Sequence, residues 1–249
     1  MLKITKGIQL NIDRQGTIAM GPAYSWDNSA NTVWLWLTFQ GAASACSGLV
    51  VNVSHIKKAM REILSQGAHS CKNWPDLLDW AYKMMADKFQ ACDLTKAQLM
   101  INDNFQLEIN YKEPDMVLVT TKYELAVAHR LYNPQWSDEK NYDEFGKCAN
   151  PAGHGHNYIV EVTIAGNPDP TTGQVANISQ IEKIVNDNIV EPFDHKNMNA
   201  DNCEFDSIRP TVENMSMVFW NILKDKFDGV ELHKIKVWET PTTFAEYWE

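Results

Sequence analysis

Two stretches of this chain, Val33–Phe39 (VWLWLTF) and Tyr158–Ile164 (YIVEVTI), are dense in β-branched and aromatic residues and predict strands. In the second, Tyr158, Val160, Val162 and Ile164 fall on one face, as a period of two requires. The period then lengthens. Ile181, Ile184, Val185 and Ile189 line one side of a helix expected over about Ser179–Val190, after the turn chemistry of Gly166-Asn167-Pro168-Asp169-Pro170. A further helix is expected from about Thr211 to Phe227, with Thr211 as N-cap and Met215, Val218, Phe219, Ile222 and Leu223 as its apolar stripe. Strands at Lys234–Trp238 and Leu99–Ile101 close the two halves in the same way.

The halves also share residues. SGLVVNVSHIKK (Ser47–Lys58) lies over TGQVANISQIEK (Thr172–Lys183) at an offset of 125, the difference between Gly173 and Gly48. Thr38/Thr163, Gly41/Gly166, Gly48/Gly173, Asn52/Asn177, Ser54/Ser179, Ile56/Ile181 and Lys58/Lys183 match without a gap. Such matches within corresponding strand–turn–helix segments favour duplication. The expected class is α+β: two tandem units, each an antiparallel four-stranded sheet with two helices on one face (ββααββ). The division falls at 1–115 and 116–249, with Glu113-Pro114-Asp115 as the joint. A sheet with both helices on one face leaves its other face to be covered, which association into a larger barrel would do.

Composition narrows the function classes. The chain has 249 residues, 44% apolar and 22% charged, enough to build a core. A net charge of −10 argues against nucleic acid as a partner, though not against an anionic small substrate held by a metal and local cations. Five scattered cysteines without CxxC pairing suggest reduced thiols. No signal-peptide pattern and no apolar run of membrane-spanning length is present, so a cytoplasmic protein is expected.

The chemistry gathers in the second half. His154-Gly155-His156 points two imidazoles the same way if it lies on a strand, and His129 ends the alternating run Leu125, Val127, His129. Taken singly, the first is a polar Gly-rich turn and the second a strand-end histidine. Together they predict a three-nitrogen site for zinc with a position left open, the pattern of a catalytic rather than a structural ion. Cys148 follows Lys147, a cation expected to lower its thiol pKa, and is a candidate base or nucleophile; the alternative is a buried structural cysteine. Asp194-His195 is an adjacent carboxylate–imidazole pair suited to proton relay, or a helix cap followed by a loop histidine. Glu239 either faces solvent or accepts paired hydrogen bonds from a heterocycle. At the same offset the first half carries Ala23, Ser29 and Asn31 in place of Cys148, His154 and His156, and His69 lies near the counterpart of His195 without its neighbours. That half is expected to be a scaffold without the metal site.

AHRL (Ala128–Leu131), FGKCANPAGHGHNY (Phe145–Tyr158), DPTTGQVANI (Asp169–Ile178), EPFDHKNM (Glu191–Met198), PTVEN (Pro210–Asn214) and VWET (Val237–Thr240) occur in this order. In them the chain resembles the 6-pyruvoyl-tetrahydropterin synthase family, from about Val117 to the C-terminus. The resemblance implies a tunnelling fold (T-fold) whose units assemble into barrels. It also implies a lyase that converts 7,8-dihydroneopterin triphosphate to 6-pyruvoyl-tetrahydropterin and releases triphosphate, with Zn2+ in the site and Mg2+ assisting. By motif, His129, His154 and His156 would hold zinc and Cys148 would be the general base. Asp194 and His195 would relay protons, in the family often across a subunit boundary. Glu239 would anchor the pterin, with Thr211 in the same pocket.

The related 6-carboxy-tetrahydropterin synthases use the same substrate. The five residues between Cys148 and His154 resemble the longer spacing of the pyruvoyl enzymes. The extra N-terminal unit departs from the family pattern, and a trimer of two-repeat chains would supply as many units as a six-unit assembly. A non-catalytic pterin- or zinc-binding scaffold would have no need to keep Cys148, Asp194-His195 and Glu239 together. Recruitment of a partner through Trp26, Trp34, Trp36, Trp74 and Trp80 is a further alternative to their use in packing.

Overall fold

The computed structural model describes residues 1–12, 18–20, 31–67, 70–110 and 113–249, with side chains placed outside 11–31, 65–69 and 111–115. Ala23, Trp26, Ser29 and His69 lie outside the described residues, as does the side chain of Asn31. The chain divides into two compact units, Met1–Thr120 with Ala165–Val175, and Thr121–Ile164 with Ala176–Glu249.

In the first unit β1 (Leu2–Ile12), the short β2 (Ile18–Met20) and β3 (Asn31–Gly41) are followed by α1 (Val53–Gly67) and α2 (Trp74–Lys88). The hairpin β4 (Asp93–Asn102) and β5 (Phe105–Asn110) completes it. The strands lie in the order β2-β1-β3-β4-β5, each paired antiparallel with the next. Val33, Leu35, Leu37 and Phe39 of β3 are buried, alternating with Trp34, which is 40% exposed and stacks on Trp36. Trp36 lies over Gly7 of β1, where any Cβ would meet the indole ring. Helix α2 has a fully formed N-terminus. Asn73 accepts from Asp76 N at 2.9 Å, Pro75 occupies the first turn, and Asp76 and Lys88 complement the helix dipole at opposite ends. Trp74 and Trp80 on this helix are partly exposed.

The second unit takes up β6 (Glu113–His129) from Thr121 onward, then a short α3 (Asp138–Phe145) capped by Ser137, and β7 (His154–Gly166). Next come α4 (Ile178–Val185), a π-helical turn at Asn186–Val190, and α5 (Glu191–Phe193). Helix α6 (Val212–Leu223) and the hairpin β8 (Glu231–Thr240)–β9 (Thr243–Tyr247) finish the unit. The strand order is β6-β7-β8-β9. Tyr158, Val160, Val162 and Ile164 are each at most 1% exposed, the single face that the alternation predicts. The helices have a buried side of their own, carrying Ile181, Val185, Ile189, Met215, Phe219 and Leu223, as a layer of helices on a sheet requires.

Both units are thus strand pairs and helices in the order ββααββ, the α+β class expected, with β2 and α3 added. One local expectation needs correction. Helix α6 stops at Leu223 rather than Phe227, because exposed Lys224, Asp225 and Lys226 end the apolar stripe. Glu113-Pro114-Asp115 is the opening of strand β6; proline is tolerated at the first residues of a strand, before its missing N–H is needed.

The 125-residue offset reappears as geometry. Gly48 N donates to Ser44 O and Ser44 N to Leu49 O; Gly173 N donates to Asp169 O and Asp169 N to Gln174 O. Ser44 Oγ accepts from the amides of Cys46 and Ser47, and Asp169 Oδ1 accepts from those of Thr171 and Thr172. Gly48 and Gly173 both sit at φ +69°, and Asn52 and Asn177 each accept the first helical amide, from Ile56 and Ile181.

Candidate metal and substrate site

Strand β6 alternates buried Leu125, Val127 and His129, so the same rule that fills the core places the His129 ring, 0% exposed, at the end of the row. Beside it β7 carries His154, His156 and Tyr158 at intervals of two. The strand can begin there because Gly153 adopts φ +69°, and a Cβ on it would come 3.0 Å from the His129 carbonyl oxygen. The three imidazoles converge, and their ligating nitrogens all lie within 4.8 Å of one another. Ring centroids are 4.5 Å apart for His129–His154, 4.7 Å for His154–His156 and 5.3 Å for His129–His156.

His129 Nδ1 lies 2.8 Å from the carbonyl oxygen of Pro210, an acceptor only, so Nδ1 carries the proton and Nε2 a lone pair. That lone pair faces His154 Nε2 at 3.0 Å. Two nitrogens sharing a tetrahedral metal would stand roughly 3.3 Å apart at ordinary zinc–nitrogen distances, close to this spacing. His154 Nδ1 and His156 Nε2 are buried without a hydrogen-bond partner. Burial first, and then the neighbouring imidazoles, hold the pKa of His129 and of His154 below the usual histidine value; the Pro210 contact at His129 and Glu239 at both work against this. The His129 and His154 rings are therefore kept neutral, the form that binds a metal, and the three converging imidazoles fit a divalent ion.

Glu239, at the end of β8, is brought to the same point instead of facing solvent. Its Oε1 stands 3.5 Å from His156 Nε2 and 3.8 Å from His129 Nε2. The hydroxyl of Tyr158, fully buried, donates to Glu239 Oε1 at 3.3 Å and lies 3.3 Å from His129 Nε2. Burial and the adjacent carboxylate raise the Tyr158 phenol far above its ordinary range, so it stays a donor.

Cys148 sits on a 3₁₀ turn, Gly146–Ala149, pinned to the end of β6 by Leu131 N donating to Cys148 O (2.9 Å) and Arg130 Nε donating to Ala149 O (2.9 Å). Its thiol is within the field of Glu239, and burial together with that carboxylate raises its pKa. The lowering expected from Lys147 is not found. Consecutive residues on a 3₁₀ turn point about 120° apart, and Lys147 lines a neighbouring cavity with Arg130 and Tyr132. A divalent cation at the imidazoles would act on the thiol in the opposite sense to Glu239.

Asp194 and His195 form the expected pair, His195 Nδ1 to Asp194 Oδ2 at 2.7 Å, in a segment that runs along β6. Ala126 N donates to Asp194 Oδ1 and His195 N to Ala126 O. The Ala126 amide first, and then the imidazole, lower the Asp194 pKa. The His195 side chain is 81% exposed, with its backbone at φ +56°, and it points to solvent rather than joining the three histidines. Thr211 caps α6, its hydroxyl accepting from Asn214 N, one residue after the carbonyl that fixes His129.

Sequence reasoning therefore assembles His129, His154, His156, Cys148 and Glu239 in one place. It misses Tyr158, whose signal was its position two residues beyond His156 on the same face, and Pro210, whose carbonyl leaves no trace in the sequence.

The sequence model of the family described as 6-pyruvoyl tetrahydropterin synthase matches residues 118–249. Human 6-pyruvoyl tetrahydrobiopterin synthase is 40% identical over 129 residues, 52% of this chain and 89% of that protein. The structure of Caenorhabditis elegans 6-pyruvoyl tetrahydropterin synthase superposes with a TM-score of 0.51 at 31% identity, covering 54% of this chain and 96% of that one. Uricase from Arthrobacter globiformis aligns with 100% of this chain and 93% of its own (TM-score 0.51, 9% identity), a likeness of fold alone that spans both units. The α+β fold of tandem T-fold units agrees with these neighbours. Among the described residues no helix is long and apolar enough to cross a membrane.

Proposed function

We propose, of a chain that belongs to the 6-pyruvoyl tetrahydropterin synthase family, that it is a zinc-dependent lyase converting 7,8-dihydroneopterin triphosphate to 6-pyruvoyl-tetrahydropterin with release of triphosphate. The observation that carries this is the convergence of His129, His154 and His156, with Glu239 at 3.5 Å from His156 Nε2 and the Cys148 thiol in Glu239's field.

His129, His154 and His156 would hold the ion: zinc suits three neutral imidazoles with an exchangeable position, and when bound it would supply Lewis acidity at the hydroxyls of the substrate side chain. Magnesium would come with the substrate, on the triphosphate oxygens that a hard cation prefers. Cys148 takes the proton from the first side-chain carbon; the electron pair moves into the ring C=N bond, whose carbon and nitrogen end protonated, so that the first hydroxyl-bearing carbon becomes a ketone as the dihydropterin ring becomes tetrahydro. Loss of the proton on the second carbon then expels triphosphate from the third, and the enol so formed tautomerises to the second ketone. A thiol whose pKa is raised is a stronger base once ionised, and a well-placed base contributes roughly 10²–10⁴-fold in rate. Glu239 accepts from the N–H edge of the pterin, with Thr211 at the same pocket. Asp194 polarises His195 for proton relay, and the exposure of that ring suits use across a subunit boundary.

The domain division is 1–115, a repeat without the metal site, and 116–249, the catalytic unit; three such chains would form a ring of six units. Five free thiols suit a reducing, cytoplasmic setting. Incubation with dihydroneopterin triphosphate, zinc and magnesium, followed by mass spectrometry, should give the pyruvoyl pterin. A carboxy pterin with acetaldehyde, or unchanged substrate, contradicts the assignment.

A further inference from the structure

The duplicated loops differ in what they touch. Within the first compact unit, the Asp169–Gln174 loop lies at the N-terminal end of α2, so close that a Cβ built on Gly173 would overlap the Asn73 amide. Asn73 is the N-cap of α2. The Ser44–Leu49 loop has the same backbone hydrogen bonds and the same glycine at φ +69°, yet nothing lies within 4 Å of a Cβ on Gly48. Leu49 beside it is 43% exposed, an apolar side chain left in solvent.

The counterpart of the α2 terminus is that of α6. There Thr211 does what Asn73 does, its side chain accepting the amide three residues on, from Asn214 as Asn73 accepts from Asp76. We propose that the Ser44–Leu49 loop is a docking element for a second copy of this chain, seating Gly48 against Thr211 at the N-terminus of the neighbour's α6. The contact repeats, between chains, one that the molecule already makes with Gly173 and Asn73. Its two surfaces are unlike, so it is a head-to-tail contact rather than a two-fold pair. It covers Leu49, and it brings a neighbour's loop against the peptide whose Pro210 carbonyl orients His129. The inference rests on the duplication proposed above and not on the reaction, so the lyase assay and the test below can fail separately.

The test is sedimentation velocity of the full chain over a dilution series, comparing Gly48→Asn with Gly229→Asn. Asparagine tolerates the left-handed backbone of both sites, and Gly229 (φ +76°, nothing within 4 Å) serves as control. Gly48→Asn should shift the protein to single chains at concentrations where wild type and Gly229→Asn remain assembled. As a second measurement, a short bis-maleimide should join chains of a Thr211→Cys variant through the exposed Cys46, and fail when Cys46→Ser is added. A wild type that sediments as single chains, an unchanged assembly in Gly48→Asn, or cross-linking that does not depend on Cys46 overturns the proposal.

Discussion

His129 Nδ1 is held 2.8 Å from the carbonyl oxygen of Pro210, 81 residues later in the chain, and that one contact sets which nitrogen of the ring faces the other imidazoles. A ring so oriented presents its lone pair to a metal without a tautomer change. His129→Ala should therefore abolish metal binding. His129→Gln, which keeps a polar side chain without the imidazole geometry, should weaken it by at least the roughly 10–100-fold typical of losing even an outer-shell partner. Isothermal titration of the metal-free protein with zinc reads both.

Cys148 does not reach the group of metal-binding nitrogens. Cys148→Ala should keep the metal at wild-type stoichiometry and lower turnover by roughly 10²–10⁴-fold. Turnover at the wild-type rate would remove Cys148 from the role of base.

The Tyr158 hydroxyl is buried and donates to Glu239. Tyr158→Phe removes that donor from a carboxylate already beside two imidazoles, and should cost about 1–2 kcal/mol of folding stability. Chemical denaturation of wild type and variant measures it, and equal midpoints and slopes would show that the hydrogen bond contributes nothing.

In the metal-free chain the pKa values of His129 and His154 lie below the ordinary 6.5. Between those lowered values and 6.5 the unfolded chain binds more protons than the folded one. Stability is then fully present above about pH 6.5 and falls on acidification until the folded-state values are passed. Thermal melts of the metal-free protein should show this fall, and His129→Ala should flatten it.

Gly153 combines a left-handed backbone with a 3.0 Å approach to the His129 carbonyl oxygen, whereas Gly229 has φ +76° and open space. Gly229→Ala should cost about 1–2 kcal/mol, the left-handed penalty alone. Gly153→Ala should cost more and weaken metal binding as well, since the intruding methyl displaces β7 from β6.

Elements defined by local pattern were legible in the sequence. The single buried face of Tyr158, Val160, Val162 and Ile164 follows from alternation, and the Thr211 cap follows from residue type. Two of the matches at an offset of 125, Gly48/Gly173 and Asn52/Asn177, are turn and helix-entry residues whose hydrogen bonds are local, and they survive as identical geometry. What depended on tertiary contact was not legible. Lys147 adjoins Cys148 in sequence but faces another cavity, so burial and Glu239 decide the thiol instead. The Pro210 carbonyl comes from a residue type that carries no signal for such a role. Asp194-His195 was recognisable as a pair, but its exposure could only be seen once the segment was laid along β6.

Metal content per chain, measured by mass spectrometry of the purified protein and of its His129→Ala, His154→Ala and His156→Ala variants, tests the three-imidazole site most directly. One zinc per chain in the wild type, lost in each variant while the fold persists by circular dichroism, is expected. Stoichiometric zinc retained by any folded variant, or a second tightly bound ion per chain, contradicts a single site built from these three rings.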